Sequence, residues 1–138
     1  MKQLLFCLCI IINLGCQKNN EIFIKHLNGY WEIEKVILPS GEEHVYNYNE
    51  FIDYFNVNDS LKGFRKKLKP TLNGTFEASN DAEKFVLQIE QDSLNIYYQT
   101  NFANWKETIL FANEKELKII NSERKIYIYK SFKPINLN

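Results

Sequence analysis

The sequence predicts an all-β domain, an antiparallel up-and-down meander of about eight or more short strands. Three observations carry this. After Asn73 the chain repeats short segments in which apolar and polar residues alternate, the period of a strand with one buried face. Polar connections part these segments around Glu90–Ser93, at Asn113-Glu114-Lys115-Glu116 and at Ser122-Glu123-Arg124-Lys125. Helical candidates are few, and many short strands at regular spacing favour a barrel or a sandwich. A closed barrel also leaves no exposed edge.

In order along the chain, Gly29–Leu38 reads as the first strand, with Trp31 and Ile33 on one face and Glu32 and Glu34 on the other. Pro39-Ser40-Gly41-Glu42-Glu43 is its turn, since these residue types suit turn backbones, and His44–Tyr48 is the second strand. Residues 49–69 admit two readings. Phe51, Tyr54 and Phe55 fit a helical stripe, whereas Ile52–Val57 fits a strand, which is preferred. Asp59 suits the N-cap of a short helix over Ser60–Leu68 ended by Pro70, and that stretch stays open. Asn73-Gly74 is the strongest turn, because both residues tolerate the positive φ of a type I′ hairpin; it joins Lys67–Leu72 to Thr75–Ser79. Phe85–Ile89 follows, with Phe85, Leu87 and Ile89 on one face. In Leu94–Gln99, Leu94, Ile96 and Tyr98 alternate against Asn95, Tyr97 and Gln99. Trp105–Ala112, Leu117–Asn121 and Ile126–Phe132 complete the series.

Met1–Cys16 carries different information. Lys2 precedes an unbroken apolar run, Leu4–Ile12, of the length of a secretory signal core. The run is too short to cross a bilayer, which takes roughly 20 apolar residues, and Asn13 interrupts it. Leu14-Gly15-Cys16 resembles a lipobox, whose cysteine is diacylated, as with palmitate, and becomes the first residue after cleavage. The alternative is an ordinary secreted protein with an incidental cysteine. Cys7 and Cys9 lie in the discarded segment, so Cys16 alone remains of three cysteines; acylation accounts for an unpaired thiol in an oxidising compartment. Two or three acyl chains hold a protein on a membrane surface where one would not. Gln17 is not the aspartate associated with inner-membrane retention. Gln17-Lys18-Asn19-Asn20-Glu21 reads as a solvated tether or, by resemblance, as a surface-export tag. The expected location is the cell envelope, lipid-anchored in the outer membrane, its face open.

The domain organisation expected is therefore a signal peptide over 1–15, a lipidated cysteine and tether over 16–26, a barrel over 27–133 and a tail over 134–138. Removal of 1–15 leaves about 120 of the 138 residues, enough for one domain and one core. Lys+Arg and Asp+Glu balance at 17 each. Near-neutrality argues against nucleic acid as a partner, because such affinity rests on neutralising phosphates.

Leu27-Asn28-Gly29-Tyr30-Trp31 resembles the Gly-x-Trp opening of lipocalins, and the ordered meander is similar to the small lipocalin-like lipoproteins of Gram-negative bacteria. Leu61–Leu68, Asp92–Tyr98, Ala103–Thr108 and Tyr127-Ile128-Tyr129-Lys130 belong to the same resemblance, which covers nearly all of 27–133. It implies a calyx-shaped barrel with Gly29 and Trp31 at its closed floor, a basic residue, Arg124 or Lys130, packed over Trp31, and a small apolar or amphipathic ligand at the open end. An eight-stranded barrel is just wide enough either to be filled by its own side chains or to hold one small ligand. A filled barrel would instead serve as a structural or interaction module for an envelope protein partner.

No catalytic residues are read from the sequence, and no cofactor or metal is expected. His26 and His44 lack metal-ligand spacing, and no nucleophile elbow, P-loop or dinucleotide fingerprint occurs. Tyr54, Tyr98, Trp105 and Tyr129 are the candidate ligand or contact residues, against the reading that the aromatics simply fill the core. Lys62, Arg65, Lys66, Lys67 and Lys69 form the one marked charge cluster, either a rim meeting anionic groups or a solvated strand whose lysines block edge pairing. On a strand, Arg65, Lys67 and Lys69 share a face, and Phe64, Lys66 and Leu68 share the other.

Overall fold

The computed structural model describes residues 20–134; the expected signal peptide, the candidate lipidation site Cys16 and residues 135–138 lie outside the described residues. One helix, α1 (Asn20–Leu27), precedes ten strands: β1 (Gly29–Ile37), β2 (Glu43–Val45), β3 (Ile52–Val57), β4 (Lys62–Pro70), β5 (Phe76–Ala78), β6 (Glu83–Glu90), β7 (Ser93–Gln99), β8 (Asn104–Ala112), β9 (Glu116–Asn121) and β10 (Ile126–Ser131). Eight of them run β1-β3-β4-β6-β7-β8-β9-β10 around a barrel, and β10 pairs back onto β1 to close it. Closure settles the choice between sandwich and barrel. The two remaining strands share edges already in use. β2 covers Lys35–Ile37 of β1 beyond the Gly29–Trp31 stretch that β3 takes, and β5 covers Leu68–Pro70 of β4 beyond the stretch taken by β6.

Four connections share one turn design. In the loops Leu38–Glu42, Asn58–Lys62, Thr71–Thr75 and Asn121–Lys125, the first residue's N–H donates to the carbonyl four residues on. The residue before the last adopts positive φ: Gly41, Leu61, Gly74 and Arg124 at 89°, 60°, 75° and 61°. This is a three-residue hairpin loop, a type I turn followed by one left-handed residue. Asn73-Gly74 therefore does turn the chain, but not as type I′, because the third loop residue leaves only Gly74 needing positive φ. The two consecutive left-handed residues are instead Gln91 and Asp92, at 48° and 65°, where Glu90 pairs directly with Ser93.

The same design excludes a helix over Ser60–Leu68. The side chain that organises this turn is Asn58, not Asp59: its Oδ1 accepts the N–H groups of Ser60 and Lys62 at 3.0 and 3.1 Å. A left-handed leucine costs roughly 1–2 kcal/mol, which these bonds and the packing of Leu61 against the core offset.

Residues 20–26, expected as tether, form most of α1, and the helix closes one end of the barrel. Leu27 enters the core, Phe23 meets Phe111 edge-on at 5.8 Å, and Asn20 Nδ2 donates to the Asp92 carbonyl at 3.0 Å. Asn28 then clasps the end of β3, its Nδ2 donating to Val57 O and its Oδ1 accepting from Val57 N. Gly29, at φ 135°, makes the abrupt change from helix to strand. Trp31 is 3% exposed and its Nε1 donates to Leu27 O at 2.9 Å, so floor and helix are fastened to each other.

Alternation turns Val57, Leu87, Leu94 and Ile96, and Leu117 and Ile119 into this closed half, and Phe55 and Phe85 above them join the same apolar cluster. The space is tight: a Cβ on Gly63 would lie 2.2 Å from Asn56 O and 2.8 Å from the Phe85 ring. Ile89, expected with Phe85 and Leu87, is largely exposed at the strand's end. Asn95, expected on a polar face, is buried on the outer wall between Glu90 and Thr108. A bulge between Ile33 and Lys35 shifts the alternation of β1, so that Val36 faces Tyr127.

Removing Trp31 empties a large volume and orphans Leu27 O; Trp31→Ala should cost about 3–5 kcal/mol, read from urea-denaturation midpoints. An unchanged midpoint would exclude Trp31 as a structural element of the closed end.

Candidate functional site

The open half of the barrel is lined differently. Register fixes who meets whom: Asp53 faces Lys67, Phe55 faces Arg65, Arg65 faces Glu83, Phe85 faces Tyr98, and Tyr98 faces Trp105. All of these lie on the inward parity of their strands, as do Glu107, opposite Ile96, and Tyr129, opposite Leu117. Aromatic and ionisable side chains thus replace aliphatic ones about halfway along the lumen.

Arg65 is the centre of this layer. Its Nε lies 2.6 Å from Glu83 Oε2 and its Nη1 3.5 Å from Glu107 Oε2. Its guanidinium carbon is 4.8 Å from the Tyr98 ring centroid and 5.9 Å from that of Phe55. Trp105 stacks on Tyr98 at 4.7 Å and 10°. Trp105, Tyr98, Arg65 and Phe55 consequently form a stack across the lumen, in which cation–π attraction is strengthened by exclusion of water. The side chains of Arg65, Glu107 and Asp53 are only 13%, 11% and 3% exposed. Lys67, reaching in from the mouth, places Nζ 2.6 Å from Asp53 Oδ1.

Burial alone would lower the Arg65 pKa, but the adjacent Tyr98 side chain, the carboxylates of Glu107 and Asp53 and the Glu83 hydrogen bond outweigh it, and the guanidinium stays charged. Burial raises Glu107 above the ordinary carboxylate range, with Arg65 and the neighbouring Tyr98 hydroxyl pulling the other way. The phenols of Tyr98 and Tyr129 are pushed well up, in both cases chiefly by burial, so both are neutral donors. Three buried oxygens of this layer, Asp53 Oδ1, Tyr98 OH and Glu107 Oε2, complete no well-formed hydrogen bond, although Asp53 Oδ1 is ion-paired with Lys67. An open hollow of about 1490 Å³ adjoins the layer, walled by Glu83, Phe85, Tyr98 and Trp105, by the loops around Asp81 and Phe102, and by Lys62, Lys84 and Lys106, which take the outer parity of their strands.

Of the candidate ligand residues, Tyr98, Trp105 and Tyr129 meet in this lumen. Tyr54 does not. It lies on the outer wall against Tyr30 at 5.0 Å and Phe64 at 6.0 Å, and the run continues from Tyr30 to Phe76 and from Phe76 to Phe132. The basic cluster does not form one rim: Arg65 and Lys67 point inward, Lys62 and Lys66 take the outer parity, and Lys69 is held by Glu50 at 2.8 Å. Arg124 and Lys130 are exposed, the latter 3.7 Å from Glu32, and the buried cation is Arg65 instead. Among the described residues no group of three or more His, Cys, Asp or Glu could hold a metal, and no helix is long and apolar enough to cross a membrane.

Asp53, Glu83 and Glu107 are the site residues that sequence reading passed over. Their signal was an acid on an otherwise apolar parity: Asp53 alternates with Phe55 and Val57, and Glu107 with Trp105 and Ile109. Arg65 carried no such signal, because the other face of β4 holds Phe64 and Leu68.

A family model described as a lipocalin-like domain matches residues 27–119. Among solved structures, the chain is similar to the crystal structure of a lipocalin-like protein from Bacteroides uniformis, at 10% identity and a TM-score of 0.47, over 78% of this chain and 99% of that one. No curated protein matches.

Because its folded pKa is raised, Glu107 keeps a proton in the native state at pH values where the unfolded chain, titrating near 4.5, has lost it. Native stability therefore falls as pH rises through that window. Glu107→Gln lacks this loss, so its stability relative to wild type should rise from about pH 4.5 upward, measured by urea unfolding across pH. A difference independent of pH would remove burial as the dominant influence on Glu107.

Proposed function

The chain belongs to the lipocalin-like domain family, and on that premise we propose that it is a lipid-anchored protein of the cell envelope, most readily the outer membrane, that binds one small amphipathic molecule at the open end of its barrel. Lipocalin-like domains are generally non-enzymatic binding folds, and no catalytic step is assigned to this one. The observation that supports binding is the change in the lumen's lining. The closed half is filled by its own apolar side chains. The open half keeps a buried layer with unmet hydrogen-bonding capacity at Tyr98 and Glu107, next to an accessible hollow. Unpaired buried polar atoms cost about 1–3 kcal/mol each, a cost that a bound polar group removes. The ligand's apolar part would lie along Trp105, Phe85 and the adjoining loops.

Anchoring at Cys16 rests on the signal anatomy. A second reading, a protein-interaction module, is favoured by one observation, the aromatic run Tyr30, Tyr54, Phe64, Phe76 and Phe132 on the outer wall.

Native mass spectrometry of the purified protein after incubation with an envelope lipid extract should give a one-to-one adduct that Tyr98→Ala abolishes. A spectrum of apoprotein alone would overturn the binding reading in favour of the interaction module. In fractionated cells, Cys16→Ser should move the protein out of the membrane fraction; retention there would overturn lipid anchoring.

A further inference from the structure

The outer wall formed by β4, β6, β7 and β8 differs in charge from the rest of the barrel. Of the lysines carried by strands, Lys35, Lys67, Lys69, Lys118 and Lys130 each meet a carboxylate. Lys62, Lys66, Lys84 and Lys106 meet none among the described residues, and all four take the outer parity of this wall. Two cross-strand rows hold three of them. Lys62, Val86, Tyr97 and Lys106 form one row, and Phe64, Lys84, Gln99 and Asn104 the next. Lys62 and Lys106 are thus three strand spacings apart, about 14 Å, with Lys84 between them. The carboxylates bordering the wall are Asp81 on the preceding loop and Glu90, which the Tyr97 hydroxyl and the Asn95 amide already engage. Like charges gathered without partners repel, a cost that an anionic counter-surface removes.

Beside these lysines Phe102 is 98% exposed. Its loop is held in place, because Thr100 Oγ1 accepts from the N–H groups of Phe102 and Ala103 at 3.2 and 3.1 Å. The ring therefore stands out in water at the rim of the hollow that Lys62, Lys84 and Lys106 line. An apolar ring among basic side chains suits the head-group boundary of a bilayer. The chain before the barrel reaches the same wall. Asn20 binds the Asp92 carbonyl at the β6–β7 turn, and Cys16 stands four residues earlier, at most about 14 Å of extended chain. Tyr97, in the lysine row, lies four residues along β7 from Ser93, a similar distance.

We propose that this outer wall docks on an anionic bilayer, with Lys62, Lys84 and Lys106 against lipid phosphates and Phe102 inserted among the head groups. The barrel then lies on its side, its anchor at one end of the wall and Phe102 at the other, and the hollow opens toward the lipid. The choice of a bilayer over a soluble polyanion rests on Phe102 and on the anchoring reading above.

The test is co-sedimentation of the full-length Cys16→Ser chain, which carries no acyl group there, with vesicles of phosphatidylcholine alone or mixed with phosphatidylglycerol. Binding should be at least about tenfold stronger to the mixed vesicles, since each lysine near an anionic surface adds several-fold, and should weaken as salt rises. Combining Lys62→Glu, Lys84→Glu and Lys106→Glu should abolish that preference. Combining Lys118→Glu, Lys125→Glu and Lys130→Glu, the same change of charge on other walls, should preserve it. Phe102→Ser should weaken binding to mixed vesicles at least about threefold, through lost apolar burial, and leave the salt dependence in place. If the triple glutamate variant does not fold, glutamine at the same three positions replaces it. Equal binding to both vesicles, or a preference unmoved in the folded triple variant, would overturn the docking wall. Displacement from mixed vesicles by dextran sulfate, with Phe102→Ser binding as well as wild type, would also overturn it and assign the lysines to a soluble polyanion. The chain tested is unacylated, so these outcomes are separate from the fractionation test of Cys16.

Discussion

Burying the Arg65 guanidinium inside the barrel constrains nearly everything around it. Removing one such charge from water costs several kcal/mol even after relaxation, so its surroundings must supply opposite charge and polarisable faces. Glu83 and Glu107 provide the first, from strands on either side of Tyr98; Tyr98 and Phe55 provide the second. Each partner comes from a different strand, so the layer is satisfied only when β3, β4, β6, β7 and β8 hold their registers. A slip of one residue in any of them would turn its contribution to the outer wall. The layer therefore specifies the barrel's alignment as well as dividing its interior.

Below that layer the barrel is a packed core, and above it the lumen is polar. Two devices make the lower half solid. The α1 helix inserts Leu27 and is fastened through Trp31, while Asn28 ties the helix end to the last residue of β3. Gly63, with no room for a methyl group between Asn56 and Phe85, lets β4 and β6 approach closely there. The accessible part of the lumen is thus shallow, placed between the charged layer and the rim.

Much of the fold was legible because strand alternation and turn chemistry are local. Ile52–Val57 needed only its period of two, and β6 to β10 followed from alternation between polar connections. The candidate site was half legible. Tyr98, Trp105 and Tyr129 lay on apolar parities and met as aromatics on such parities do. Tyr54 was misplaced for the same reason that Arg65 was: both faces of β3 and β4 are covered. The β4–β5 hairpin brings Phe76 over Tyr30, and Ile52 and Leu68, a cross-strand pair of outer parity, are buried. When both faces carry apolar residues, alternation states which residues share a side but not which side is the lumen.

By itself the sequence determined the all-β class and the bounds of most strands, β2 and β4 (Lys62–Pro70) excepted, because these depend on hydrophobic period and on the residues that turns accept within a few positions. It also carried the apolar run Leu4–Ile12 on which the expectation of a secretory signal rests, a property of the linear chain. Only the tertiary structure decided that the barrel closes through β1 and β10, that residues 20–27 form a helix across one end, and that Arg65 is an interior charge. Those outcomes depend on pairs far apart in sequence, such as Trp31 with Ser131 and Arg65 with Glu107, and on desolvation, which exists only once the surrounding strands are in place.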